Sequence, residues 1–393
     1  GGEGTAPEER ERYRAWFTEV MRRTASLIAK WQAIGFVHGV LNTDNMSPLG
    51  LTIDYGPFAF MEAYDPRYTP NLSDSSLRYA YGMQPHIGKW NLHALGFALH
   101  RFLDTEGQLP QDDDFKPSVV SLLSQYDTFF QQSYDDEMGR KLGIDLTKLR
   151  NKNDHDDDDD DNNGEASLLE RMLELMYVGK VDWTLFYRRL PYLDPQRTQP
   201  YQHIGELPRE FLEVIMPNNE EDNPQQQQGK ATAQADEDDE GLNEEWLAWV
   251  NDYVAIVREQ RCQESSNPGT GSEQQQQEQK QEEEEQAGWV SLWRKSLFDA
   301  NPRLVLRNYA AQQVISEAEM GNMEPLTRLY DSLKTPFALT SCEQQLLTSS
   351  TTTTTEAEGV DGKKDAGDLG YDDEFELPAP SWARLHAGIG QLS

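Results

Sequence analysis

The residues best equipped for chemistry are His38, Asp44, Asn45 and Asp54, all within the stretch 38–56. Carboxylate and amide oxygens are the donors that a hard divalent cation takes, and such donors work best when strand ends hold them still. The surroundings suit that role. Apolar runs at 37–41 and 49–53 enclose the turn-prone Asn42-Thr43-Asp44-Asn45, so 36–60 reads as a loop flanked by two short strands. An Asp-Asn pair alone would more often cap a turn. Here Asp54 follows an apolar run and His38-Gly39 precedes the pair, which favours a metal-assisted site acting on phosphate.

The spacing fits a known arrangement. Kinase-type phosphotransfer sites use H-R-D-x-x-x-x-N, which supplies a base and a metal-binding Asn, followed by D-F-G with the main metal-binding Asp. Aligning His38 with the motif His puts Asn45 at the Asn and Asp54-Tyr55-Gly56 at the triplet. The usual base position falls on Val40, which cannot accept a proton, so an ordinary protein kinase fits poorly. Asp44 is the one carboxylate in the loop that could replace it. His38 is expected to prop the loop rather than act as acid or base.

The run from Gly35 to Met46, continued by Leu49 to Phe58 and Asp65-Pro66, resembles the signature of the selenoprotein O (SelO/YdiU) family of protein adenylyltransferases. The resemblance continues at Arg78-Tyr79-Ala80-Tyr81, Gln84-Pro85, Lys89-Trp90-Asn91-Leu92, Asn301-Pro302-Arg303, 305–309 and Pro336-Phe337. It implies a protein-kinase-like fold that transfers AMP from ATP to Ser, Thr or Tyr hydroxyls of proteins. Asp44 would then be the proton acceptor; Asn45 and Asp54 would hold Mg2+, with Mn2+ as the alternative, and Asp54 would also lie near the nucleotide phosphates. The family's glycine-rich loop, nucleotide-contacting Lys and paired Arg residues precede this signature, and residues 1–37 lack them. Arg12, Arg14, Arg22 and Arg23 read as solvated surface. The chain is therefore expected to be the C-terminal portion of such a protein and inactive by itself. The tail from Pro380 onward holds no Cys, so the family's redox function is not implied. The competing readings are a non-catalytic, pseudokinase-like interaction module and a phosphotransferase using the same metal pair.

Those residues need a scaffold. Thr5-Ala6-Pro7-Glu8 opens an amphipathic helix over 5–34, whose stripe runs from Tyr13 to Trp31, with Gly35 ending it. Further helical patterns cover 87–103, 117–142, 166–179, 182–190, 206–215 and 243–260. Asn301-Pro302 is expected to start a helix containing Tyr309 and Val314, and Gly321-Asn322 to turn it into a shorter partner.

The formal net charge of -34 is concentrated in tracts such as 154–161, 236–240 and 282–285. Such blocks repel themselves and read as disordered insertions. Acidity on this scale argues against a nucleic-acid partner. No apolar run reaches membrane-span length, and Cys262 and Cys342 form no disulfide or zinc pattern, which suggests a reducing compartment. Family resemblance suggests mitochondria. The expected fold is α+β and mainly helical: a protein-kinase-like C-terminal lobe with a helical C-terminal extension. The divisions are a catalytic-lobe segment at 1–150, an acidic insert at 151–165 and a helical continuation at 166–216. A low-complexity insert at 217–242, a helix at 243–262 and a Gln/Glu-rich insert at 263–287 follow. A helical hairpin region at 288–339, a Thr-rich acidic linker at 340–372 and a tail at 373–393 complete the chain. ATP and hydroxyl-bearing proteins are the expected partners.

Overall fold

The computed structural model describes residues 7–103, 117–153, 167–216, 233–265 and 275–348, which divide into two compact units. The architecture is mainly helical with a few two-residue strands. Residues 154–165, 217–232, 266–274 and 349–393, read above as parts of the inserts, linker and tail, lie outside the described residues. Helix occupies 233–242 and 275–287, within the two segments read as low-complexity, and also Ser341–Thr348 in the linker. Among the described residues no helix is long and apolar enough to cross a membrane.

The first unit comprises described residues 7–61, 65–103 and 117–138. It is built on α1 (Pro7–Ile34), β1 (Phe36–Val37), β2 (Met46–Ser47), β3 (Leu51–Thr52), β4 (Ala59–Phe60), α2 (Gln84–Ala98), α3 (His100–Leu103) and the body of α4 (Pro117–Leu142). The stripe of α1 buries Phe17, Val20, Met21 and Ala25 against Leu92 of α2, Leu103 of α3 and Val119, Leu123 and Tyr126 of α4. Fully burying each large apolar side chain is worth about 1.5–3 kcal/mol, so this seam fixes α1 as a platform. One turn further on, Ile28 and Trp31 pack with Phe36, Leu41 and Ile87, carrying the platform to the loop. The two strands expected at 37–41 and 49–53 are instead four very short ones. Antiparallel β1 and β4 pair Phe36 with Phe60 and Val37 with Ala59; β2 and β3 pair Met46 with Thr52 and Ser47 with Leu51. The strands stop early because loop backbone groups bond to side chains, described below.

The second unit comprises residues 62–64 and the described residues from 139 onward. Its elements are α5 (Leu146–Asn153), α6 (Leu168–Val178), α7 (Trp183–Arg189), α8 (Arg209–Ile215), α9 (Ala233–Ser265), α10 (Gln275–Ala300), α11 (Asn308–Glu319), α12 (Glu324–Leu333) and α13 (Ser341–Thr348). An aromatic core joins Phe186, Phe211, Trp246, Trp249 and Tyr253. Two buried arginines, Arg188 and Arg307, are paired with carboxylates. The Arg188 guanidinium donates to both Glu343 oxygens at 2.8 and 2.6 Å and to the Phe298, Asn301 and Ala338 carbonyls. Arg307 donates to Asp182 at 2.6 and 3.0 Å and to Glu62 at 2.6 Å.

One expectation fails here. Asn301-Pro302 does not start a helix: α10 ends at Ala300, an extended link follows, and α11 begins only at Asn308. The Asn301 side chain donates to the Leu297 and Lys141 carbonyls, and its Oδ1 accepts from Lys141 Nζ at 2.9 Å. Asn301 is thus committed to the helix before it. The α11–α12 pair itself stands as the expected helical hairpin.

Candidate active site

The loop from 38 to 56 is held from inside by a buried, neutral network. His38 is fully buried at the end of β1, and its Nδ1 accepts the Val40 N–H at 3.3 Å. An accepting Nδ1 puts the ring proton on Nε2, which lies 2.7 Å from Thr52 Oγ1. Burial pushes the His38 pKa down, while the Asp54 carbonyl and the Asp54 charge oppose that shift. His38 is therefore the neutral support that its position suggested. Thr52 Oγ1 also lies 3.0 Å from the Asn45 carbonyl and 2.9 Å from the Asp54 carbonyl, so one hydroxyl serves both backbone segments. The Ile53 N–H donates to the same Asn45 carbonyl at 2.8 Å. These bonds bring the backbones of Asn45 and Asp54 together at one end of the β2–β3 hairpin.

The sharp turns require glycine. Gly39 has φ +78°, and a Cβ there would stand 2.6 Å from the Pro57 carbonyl oxygen. Gly50 has φ +73° and closes the β2–β3 turn through its N–H to the Ser47 carbonyl at 3.1 Å.

The chemical side chains have distinct environments. Asn45 Nδ2 donates to the Val40 carbonyl at 2.8 Å, which fixes the amide plane and leaves Oδ1 to serve another partner. Asp44 lies exposed in the short turn Thr43–Asn45. Asp54 is exposed as well. Among the described residues no three His, Cys, Asp or Glu side chains form a cage. The oxygen donors at the loop are instead one amide and nearby carboxylates, a set that suits Mg2+, which usually takes one or two protein oxygens and completes its shell with phosphate and water. Arg22 and Arg23 pair with Glu19 on the exposed face of α1, as surface residues would.

Sequence reasoning gave no role to the residues that clamp this loop from outside. Gln84 at the start of α2 accepts the His38 N–H at 2.9 Å and donates to the Phe36 carbonyl at 2.9 Å. Asn91 donates to the Leu41 carbonyl at 2.9 Å, Asn71 to the Gly39 carbonyl at 3.1 Å, and the Tyr79 hydroxyl to Asn42 Oδ1. Asp74, itself buried, receives the Arg78 and Tyr79 N–H groups and so shapes the segment that delivers Tyr79. Tyr79, Gln84 and Asn91 do sit in the blocks that carried the resemblance, which was the available signal.

The buried polar scaffold thus presents exposed Asp44 and Asp54 together with half-buried Asn45. The family model described as "Protein adenylyltransferase SelO" matches residues 4–334. The chain is 31% identical over 397 residues to the human "Protein adenylyltransferase SelO, mitochondrial", covering 91% of this chain and 52% of that protein. It is 32% identical to the "Protein nucleotidyltransferase YdiU" of Vibrio atlanticus and 33% identical to that of Yersinia pseudotuberculosis, covering 83% of this chain and 50% of each relative. The chain belongs to the SelO family, a family of transferases. It spans about half the length of the curated relatives it matches.

Proposed function

We propose that this chain carries the base and metal-binding loop of a protein adenylyltransferase, which moves AMP from ATP to Ser, Thr or Tyr hydroxyls of other proteins. Asp44 is the proton acceptor, and Asn45 Oδ1 and the Asp54 carboxylate hold Mg2+, or Mn2+ in its place. The observation that carries the reading is the Thr52 hydroxyl, which ties the Asn45 and Asp54 backbones together, while Asn45 keeps its Oδ1 uncommitted and the Asp54 side chain is exposed. A bound Mg2+ would supply charge neutralisation on the phosphates. Asp44 takes the proton as the substrate hydroxyl oxygen bonds to the α-phosphorus; the bond to the bridging oxygen breaks and pyrophosphate leaves. Val40 fits this assignment, because its N–H and carbonyl are spent on His38 and Asn45 and its side chain has no proton chemistry.

The lobe around the loop is read as protein-kinase-like, on the motif order His38, Asn45, Asp54-Tyr55-Gly56. Residues 38–65 contain no Lys or Arg, so cationic groups facing the triphosphate must come from elsewhere. The 393-residue chain, which spans about half the length of its curated relatives, is expected to be inactive alone. A mitochondrial location is inferred by analogy with the human relative, and a reducing compartment from Cys262 and Cys342, which form no disulfide or zinc pattern.

The test is isotopic. A form of the chain extended to the length of its relatives should label protein from ATP carrying the isotope at the α-phosphate and not at the γ-phosphate. Asp54→Ala should abolish the labelling, and Asp44→Ala should reduce it by at least about 100-fold, the range for loss of a general base. Label arriving only from the γ-phosphate would identify a phosphotransferase and overturn the assignment.

A further inference from the structure

A cavity of about 320 Å³ lies in the first unit behind the turn that carries Asp44 and Asn45. It opens between α1 and α2, with Val20, Leu92 and Leu95 as apolar wall and Thr43 and Met46 of the loop as its other side. The volume lies within the roughly 300–1,000 Å³ of small-molecule sites. None of the lining side chains is charged, so nothing there would balance a phosphate, and the cavity is chemically unsuited to ATP.

Asn91, also in the lining, is buried, and both protons of its amide are committed: Nδ2 donates to the Leu41 carbonyl at 2.9 Å and to Met46 Sδ at 2.8 Å. Exchanging the amide ends would break both bonds. Its Oδ1 is therefore fixed as an acceptor, and among the described residues it has no hydrogen-bond partner. Buried acceptors are nearly always satisfied, by protein, water or ligand.

We propose that this cavity binds a small, uncharged and mostly apolar molecule that donates one hydrogen bond to Asn91 Oδ1. Asn91 holds Leu41 and Met46, which flank the Thr43–Asn45 turn, and Thr43 and Met46 also form the cavity wall. The occupant thus touches the turn bearing Asp44 through Thr43 and Met46 and acts as an effector of the loop. The proposal stands apart from the adenylyl-transfer reading, because occupancy can be measured without nucleotide.

The probes are benzyl alcohol, which donates a hydrogen bond, and benzyl methyl ether, which does not. The 393-residue chain is labelled with 13C at its methionine methyls, and the Met46 signal is assigned with Met46→Leu. Benzyl alcohol should shift the Met46 methyl saturably, and the ether should bind roughly fivefold more weakly, the factor for one net hydrogen bond. Ala94→Phe fills the cavity from α2 without touching the Asn91 bonds, and it should abolish the shift while the helical circular dichroism is kept. No saturable shift at Met46 with the alcohol would overturn the proposal. Equal affinity for the two probes would also overturn it, since Asn91 Oδ1 would then be satisfied by water. The comparison of probes on the unsubstituted chain decides the question even if Ala94→Phe disturbs folding.

Discussion

The Thr52 hydroxyl offers the sharpest test of how the loop is built. Thr52→Val keeps the branched shape that suits a strand and removes only the group that meets His38 Nε2 at 2.7 Å and the Asn45 and Asp54 carbonyls at 3.0 and 2.9 Å. One hydroxyl proton cannot fully serve two carbonyls, so the loss on that side is about one net hydrogen bond, roughly 1 kcal/mol. The His38 Nε2–H, on a fully buried ring, loses its Thr52 acceptor and keeps only the opposing pull of the Asp54 carbonyl, which adds about 1 kcal/mol more. The expected cost is about 2 kcal/mol, equivalent to roughly thirtyfold in the opening equilibrium. It should be local. Hydrogen exchange read by mass spectrometry should show peptides over 40–54 exchanging roughly thirtyfold faster, while peptides from α11 and α12 in the second unit are unchanged. Thr52→Ser, which keeps the hydroxyl, should stay within about threefold, since it loses only one partly buried methyl. Equal exchange in Thr52→Val and the parent chain would show that this hydroxyl does not hold the two segments together.

The other expected outcomes concern neighbouring features. Gly39→Ala adopts a strained φ of +78° and drives a Cβ to 2.6 Å from the Pro57 carbonyl oxygen; it should cost at least about 1–2 kcal/mol, seen as faster exchange over the same loop. Arg307→Met removes the cation shared by buried Asp182 and partly buried Glu62 and should destabilise the second unit by about 3–5 kcal/mol in urea denaturation. His38 should titrate below its ordinary 6.5 in an NMR pH titration because burial disfavours the cation. The unfolded chain then binds the proton first, so the stability held above pH 6.5 should be lost as the pH falls from that value through the lower folded pKa. Unchanged loop protection between pH 7 and 5 would contradict this.

The parts legible in the sequence were those whose physics is local. The α1 stripe repeats at helical spacing, and the observed helix, Pro7–Ile34, follows it. His38, Asp44, Asn45 and Asp54 stood out because loops concentrate chemistry in few residues. The strands of the loop were drawn too long because its backbone groups turn to side chains such as Gln84, which lies 46 residues beyond His38. Asn301-Pro302 looked like a helix start on local preference alone; Lys141, 160 residues earlier, decides otherwise. Thr52, Tyr79, Gln84 and Asn91 are ordinary polar residues at ordinary spacings, and their roles arise from contacts that sequence order does not display.

The loop divides its polar groups in a way that bears on where a base could sit. Everything facing inward is neutral: His38 with its proton on Nε2, the Thr52 hydroxyl, and the amides of Asn45, Gln84 and Asn91. Each meets a backbone carbonyl, an N–H or another neutral group, so none carries an unpaired charge into the packed region around Phe36, Leu41 and Ile87. The carboxylates of Asp44 and Asp54 are instead left on the solvent side. Position 40 belongs to the inward set. Its N–H is held by His38 and its carbonyl by Asn45, and the residue is only partly exposed. A carboxylate there would start next to a neutral His38 and lose solvation against the loop backbone, which raises its pKa and weakens its hold on a metal. The base proposed at Asp44, four residues on, is instead exposed to solvent beside Asn45, and Val40 stays apolar. On that argument, Val40→Asp combined with Asp44→Ala should not restore activity lost through Asp44→Ala alone; recovery of AMP transfer would place the base inside the loop after all.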